Sequence, residues 1–237
     1  MTVLIALLMP LFSFAQDATT SATLYDLKSN QAKKLYTLDV QLSAQDDGIH
    51  SKATYKDIDG KEVVREDGVV KGAQVLRYEI NQGQTQEKGR FVVDGDLIRF
   101  EYEGKGKKKN AEEKIKGPLL STANFNAFVK ENWDKLNTGK GMDVRFAVWD
   151  RLETVGFTLQ KMGEVEKGGD KWMELRMKPT SFIIAALVDP IFLWYAQSDK
   201  KLMLMKGRVA PKQLKDGKWK DLDAEAVYTY DQKAVSK

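Results

Sequence analysis

The chain has 237 residues, 42% of them hydrophobic, and a formal net charge of +4. It has no cysteine and a single histidine, His50, which excludes a disulfide framework and thiolate metal sites and leaves little room for histidine-based catalysis or a multi-histidine metal site. The length suits one large β domain or two small ones, and the mild positive charge suits an anionic surface without demanding one.

Residues 1–15, MTVLIALLMPLFSFA, read as a signal peptide. Val3 to Phe14 form an apolar core, and Ser13-Phe14-Ala15 fits the small-x-small cleavage rule, so Gln16 is the expected mature N-terminus. The run is too short to span a membrane comfortably. No Lys or Arg precedes it, and no cysteine stands at the cleavage site to take a lipid anchor. The expected location is the periplasm or the exterior of the cell. Residues 16–34 begin small and polar and are expected to form a flexible leader, with a single β-rich domain over 35–237.

From Leu35 the pattern has a period of two. Tyr36, Leu38, Val40 and Leu42 point one way, and Thr37, Asp39 and Gln41 the other. Asp46-Asp47-Gly48, Asp59-Gly60, Asp67-Gly68, Asn81-Gln82-Gly83 and Asp94-Gly95-Asp96 punctuate the following runs as turns. Ile98, Phe100 and Tyr102 share a face. The even spacing predicts an antiparallel sandwich or barrel-like sheet. Gly104 to Gly117, GKGKKKNAEEKIKG, is charged and reads as an exposed loop. No aromatic residue is interleaved to stack bases, so it does not read as a nucleic-acid site.

An amphipathic helix is predicted over about 122–137. Phe125, Phe128, Val129, Trp133 and Leu136 fall on one stripe, Lys130, Glu131, Asp134 and Lys135 face away, and Gly139 and Gly141 end it. Thr122 is the expected cap. Strands then resume, with Val155, Phe157 and Leu159 on one face and Met173, Leu175 and Met177 on the next. Thr180 to Gly207 is the most apolar stretch after the signal peptide. It predicts a short apolar helix over about 182–188, capped by Ser181 and stopped at Pro190, and two strands apolar on both faces. Such a helix has almost no polar side, and something should cover the sheet beside it.

No phosphate loop, nucleophile elbow or His-Glu-x-x-His is present, and no cofactor or metal is implied. Carboxylates are abundant but mostly in turns or opposite lysine. Carboxylate pairs of the kind used by glycosidases have no spacing signature, so a carboxylate-dependent hydrolase stays as a third reading. Methionines 162, 173, 177, 203 and 205 lie with Phe182, Phe192, Trp194 and Tyr195, a composition that suits variable apolar ligands as well as ordinary packing.

The stretch FAVWDRLETVGFTL from Phe146, with Glu174-Leu-Arg-Met-Lys-Pro-Thr-Ser-Phe and Leu187-Val-Asp-Pro, resembles a family of uncharacterised exported proteobacterial proteins over residues 118–208. That resemblance implies no catalytic residue. The order of strands, mid-chain helix and strands is more distantly similar to periplasmic lipoprotein- and lipid-carrier folds, in which a curved antiparallel sheet and helices close an apolar cavity. The reading is therefore mainly β: a curved antiparallel sheet, half-barrel or barrel-like, with the two helices against it. The leading function is a non-enzymatic envelope protein that holds an apolar ligand such as a lipid or lipidated segment, with Phe125, Phe128, Trp133, Phe182 and Ile183 lining one cavity. The alternative is a structural or protein-interaction module with a solid core and an envelope protein as partner.

Overall fold

The computed structural model describes residues 18–186 and 188–230. The expected signal peptide lies outside the described residues. The first half is a meander of eight strands: β1 (Ala18–Asp26), β2 (Lys34–Gln45), β3 (Gly48–Lys56), β4 (Glu62–Lys71), β5 (Gln74–Gln82), β6 (Glu87–Asp94), β7 (Leu97–Gly104) and β8 (Lys107–Lys114). The second runs through β9 (Leu119–Leu120), α1 (Phe125–Glu131), α2 (Trp133–Asn137), β10 (Met142–Val148), β11 (Glu153–Lys167) and β12 (Asp170–Pro179). It then passes α3 (Phe182–Ala185) to β13 (Ile191–Ala196), β14 (Leu202–Lys215) and β15 (Lys218–Tyr230).

These strands form one sheet of 15, in the order β8 back to β1, then β15 back to β9. The join is β1 against β15, with Ala22 opposite Tyr228 and Leu24 opposite Ala226. The first and last described strands thus fuse two meanders into one curved, unclosed antiparallel sheet. Ala22 and Leu24 are buried. The expected leader is corrected here: the alternation Ala22, Leu24 is too short to announce a strand by itself, and its partner lies about 200 residues away.

The sheet rolls until its halves meet. At one end Gln82 Nε2 donates to Ala210 O (2.8 Å), Tyr36 Oη to Lys212 O (2.7 Å) and Lys212 N to Gln84 Oε1 (2.7 Å). Near the two ends of the sheet Thr154 N donates to Glu113 Oε1 (3.0 Å), linking β11 to the edge strand β8. Trp149, in the turn after β10, lies directly over Gly89 of β6, where an added Cβ would sit 2.3 Å from its ring. It also stacks on Tyr102 at 6.2 Å. Two buried clusters fill the roll, one around Leu24, Phe91, Ile98 and Phe100, the other around Leu159, Leu175, Tyr195 and Trp133.

Three further expectations change. Gly104 to Gly117 is largely β8, an edge strand whose lysines blunt the open edge. The long helix is two short ones, meeting at Asn132 (φ −100°, ψ 17°). The Phe128 carbonyl there accepts from both Asn132 N (3.0 Å) and Asn132 Nδ2 (3.0 Å), a side-chain bond that competes with the helical ladder. Asn124, not Thr122, is the N-cap residue. Its buried amide serves the sheet instead, donating to Ala73 O (2.8 Å) and Leu119 O (2.9 Å).

Candidate functional site

The apolar stripe of α1 and α2 faces the sheet. Phe128 is 6% exposed, Trp133 7% and Leu136 0%, and Phe125 packs partly buried on the same cluster. Trp133 meets Tyr195 edge-on at 6.3 Å, and Tyr195 Oη donates to Asn126 Oδ1 (2.8 Å).

The other two candidate residues behave differently. Phe182 is 94% exposed and Ile183 77%. The helix that carries them has four residues, not seven, and Ser181 makes no side-chain cap. Of α3, Ile184 turns inward and packs on the cluster of Phe128 and Trp133. The structure therefore brings Phe125, Phe128 and Trp133 together in one packed group and joins Phe182 and Ile183 to it only through Ile184. The anchors of α3 are local. Thr180 N donates to Gly156 O (3.0 Å) and Val188 N to Ile184 O (2.9 Å). Gly207, at φ 146°, lets β14 pass under Ile191, where any Cβ would lie 2.9 Å from Ile191 Cγ1.

Beside α3 is a recess of about 320 Å³ whose walls include Gln160, Arg176, Lys178, Pro179, Phe182 and Ala185. Alternation on β12 explains it: Met173, Leu175 and Met177 point into the roll, so Glu174, Arg176 and Lys178 point out. Register puts Arg176 opposite Gln160 on one side and Phe192 on the other. Arg176 and Lys178 form no ion pair among the described residues. The neighbouring outer row is apolar and half-buried. Phe192 stacks on Trp194 at 6.2 Å, Trp194 Nε1 donates to Glu174 Oε2 (3.1 Å), and Lys206 Nζ sits 6.0 Å over the Trp194 ring while pairing with Glu225 (3.1 Å). Strands apolar on both faces are thus present as expected, and on this outer face Phe192 and Trp194 stay half-buried.

Arg176 and Lys178 are the site residues that sequence reasoning missed. The signal was available, because the period that puts Met173, Leu175 and Met177 inward puts both cations outward, next to the apolar run.

Polar chemistry inside the roll sits elsewhere. Glu66 is buried, and burial raises its carboxyl above the ordinary range against the pull of hydrogen bonds from Tyr78 and Thr122. Glu87 is buried too, but accepts from Tyr102 Oη (2.6 Å) and pairs with Lys105 (3.1 Å). Against the cost of burial, its bonds to Thr85, Tyr102 and Lys105 hold it below the ordinary range. Burial and that carboxylate push Tyr102 up to about 12. Both acids are satisfied by neighbours that brace the sheet. His50 is half-buried and contacts Asp47 (2.6 Å), which also pairs with Arg77 (2.9 Å). His50 and Arg77 line a charged outer concavity with Lys52, Asp67, Glu79 and Arg90. Among the described residues no group of three or more His, Asp or Glu is arranged to hold a metal ion, and no helix is long and apolar enough to cross a membrane.

No family model and no curated protein sequence matches the chain. Among solved structures it is similar to a beta-barrel-like protein of the domain of unknown function DUF1849 from Brucella abortus, at 10% identity and a TM-score of 0.44, over 90% of this chain and 94% of that one. It is also similar to a putative outer membrane lipoprotein-sorting protein domain from Vibrio parahaemolyticus, at 8% identity and a TM-score of 0.26, over 91% and 85%. A third is a LolA superfamily protein from Nitrosomonas europaea, at 8% and 0.24, over 90% and 83%.

Proposed function

We infer that the protein is an exported, non-enzymatic binding protein of the cell envelope that takes an apolar ligand with an anionic head, such as a fatty acyl chain or a lipidated segment, at α3. The observation that carries this is the exposure of Phe182 and Ile183 beside Arg176 and Lys178, which form no ion pair among the described residues. Phe182 and Ile183 cover the acyl chain, Arg176 and Lys178 receive the head, and Phe125, Phe128 and Trp133 form the solid base on which Ile184 seats the helix. Burying one Phe and one Ile side chain is worth about 1.5–3 kcal/mol each. The apolar contact alone then gives a gross affinity in the range of about 40 μM to several millimolar.

The second reading, an interaction module with a solid core, is favoured by the two tightly buried clusters of the roll. Titration of a fluorescent fatty-acid probe in membrane-free buffer separates the two. The ligand reading expects saturable binding that Phe182→Ser with Ile183→Ser weakens about tenfold or more. It also expects Arg176→Gln with Lys178→Gln to weaken the free acid but not its methyl ester. A wild type that binds neither form supports the second reading.

A further inference from the structure

The outer face around α3 also carries Phe192 and Trp194, which a site for one acyl chain does not use. The apolar surface there is not a closed groove but a tip with an apron. Phe182 and Ile183 stand almost fully in water on a connection between two strands. Behind them, on the outer side of β12–β14, lie Phe192 and Trp194, half-buried and stacked. Among these sit Arg176 and Lys178, without ion pairs among the described residues. The carboxylates nearby are mostly engaged. Glu174 accepts from the Trp194 indole, Glu225 pairs with Lys206, and Asp143 accepts from Thr158 (2.7 Å). Asp189, exposed beyond α3, is the one acid on the connection itself.

A large apolar residue held in water by a rigid fold costs solubility and marks an interaction site. The company it keeps indicates the kind of partner. A protein partner with a shaped pocket needs no belt of aromatics and cations around the inserted tip. A bilayer surface matches each part: apolar tips enter the acyl boundary, Trp and Phe sit at headgroup depth, and Arg and Lys meet anionic headgroups. We propose that α3, with the outer row Arg176, Lys178, Phe192 and Trp194, docks the protein on an anionic lipid bilayer. The contact is reversible, because two apolar side chains and two cations fall far short of a spanning segment. This rests on the reading of α3 as the lipid-facing element and adds the surface from which its ligand would be drawn or to which it would be delivered.

Flotation of the full chain with vesicles tests it. The vesicles contain phosphatidylcholine alone or with one quarter phosphatidylglycerol, at low and at high salt. The wild type should float with the anionic vesicles and dissociate at high salt. The two cations should favour anionic over neutral vesicles by roughly thirtyfold. Phe182→Ser with Ile183→Ser should lower binding to the anionic vesicles by about a hundredfold. Arg176→Gln with Lys178→Gln should remove the anionic preference while leaving the thermal midpoint unchanged. Equal binding to both vesicles, or variants that float like the wild type, overturns the docking. So does a dimer that the Phe182 and Ile183 substitutions dissolve, since the tip then meets a second copy. If the membrane-free probe binds but no vesicle is bound, the docking falls and the ligand reading stands. If neither binds, both fall.

Discussion

Helical segments carry bulky apolar side chains at two places in this fold, and the two dispose of them in opposite ways. On α1 and α2, Phe128, Trp133 and Leu136 are buried to 7% exposure or less. On α3, Phe182 and Ile183 stand at 94% and 77%. The difference lies in pattern, not in apolar content. The first pair has a stripe and a charged back, so one face can be buried completely while the other meets water. The α3 run has no polar side, and a four-residue helix on the rim of a rolled sheet can turn only one side inward. It turns Ile184. An apolar run without a stripe therefore indicates a surface waiting for a partner as readily as a core.

The comparison breaks most sharply under substitution. Phe128→Ala removes a packed ring and should cost about 3–5 kcal/mol by chemical denaturation. A cost near zero would mean that α1 lies loosely on the sheet. Gly89→Val should cost about 1–3 kcal/mol or more, because its side chain must displace Trp149 from its seat on β6. Reducing Trp149 to Ala in the same chain should recover part of that loss, a coupling that distant sites would not show.

A subtler probe of the filled interior is Glu66. Burial raises its folded pKa above the ordinary 4.5. The unfolded chain therefore releases this proton first as pH rises, and Glu66 favours folding fully only below that ordinary value. Its contribution is lost as pH climbs through the raised folded value. Glu66→Gln should flatten this slope and stabilise the fold at neutral pH. Unchanged pH dependence of the denaturation midpoint would mean that water reaches the carboxyl. At the other extreme, Phe182→Ser with Ile183→Ser should move stability by no more than about 0.5 kcal/mol, since neither side chain is packed. A large loss would place α3 in the core.

Most of the sheet is legible in the sequence because its alternation is local. Ile98 and Phe100, or Met173, Leu175 and Met177, declare their strands and their inward face without reference to any partner. The missed elements depend on distant ones. β1 is held by β15, at the other end of the chain. β8 is a strand because β7 offers it a register, with Phe100 opposite Ala111, despite a composition that suits a loop. The helix divides at Asn132, whose side chain also donates to the Phe128 carbonyl. For the site, the residue types near α3 were readable, but their direction was not. Whether Phe182 or Ile184 meets the core depends on where Pro179 and Ile191 anchor the connection.

The central claim is that apolar surface is spent under α1 and α2 and left open at α3. Carbene footprinting of the folded protein, read residue by residue with and without a saturating fatty acid, tests it most directly. The account predicts heavy labelling of Phe182 and Ile183 that the fatty acid suppresses, and little labelling of Phe128 and Trp133 in either state. Equal labelling of both pairs, or protection by the fatty acid at Phe128 and Trp133 with none at Phe182, would contradict it.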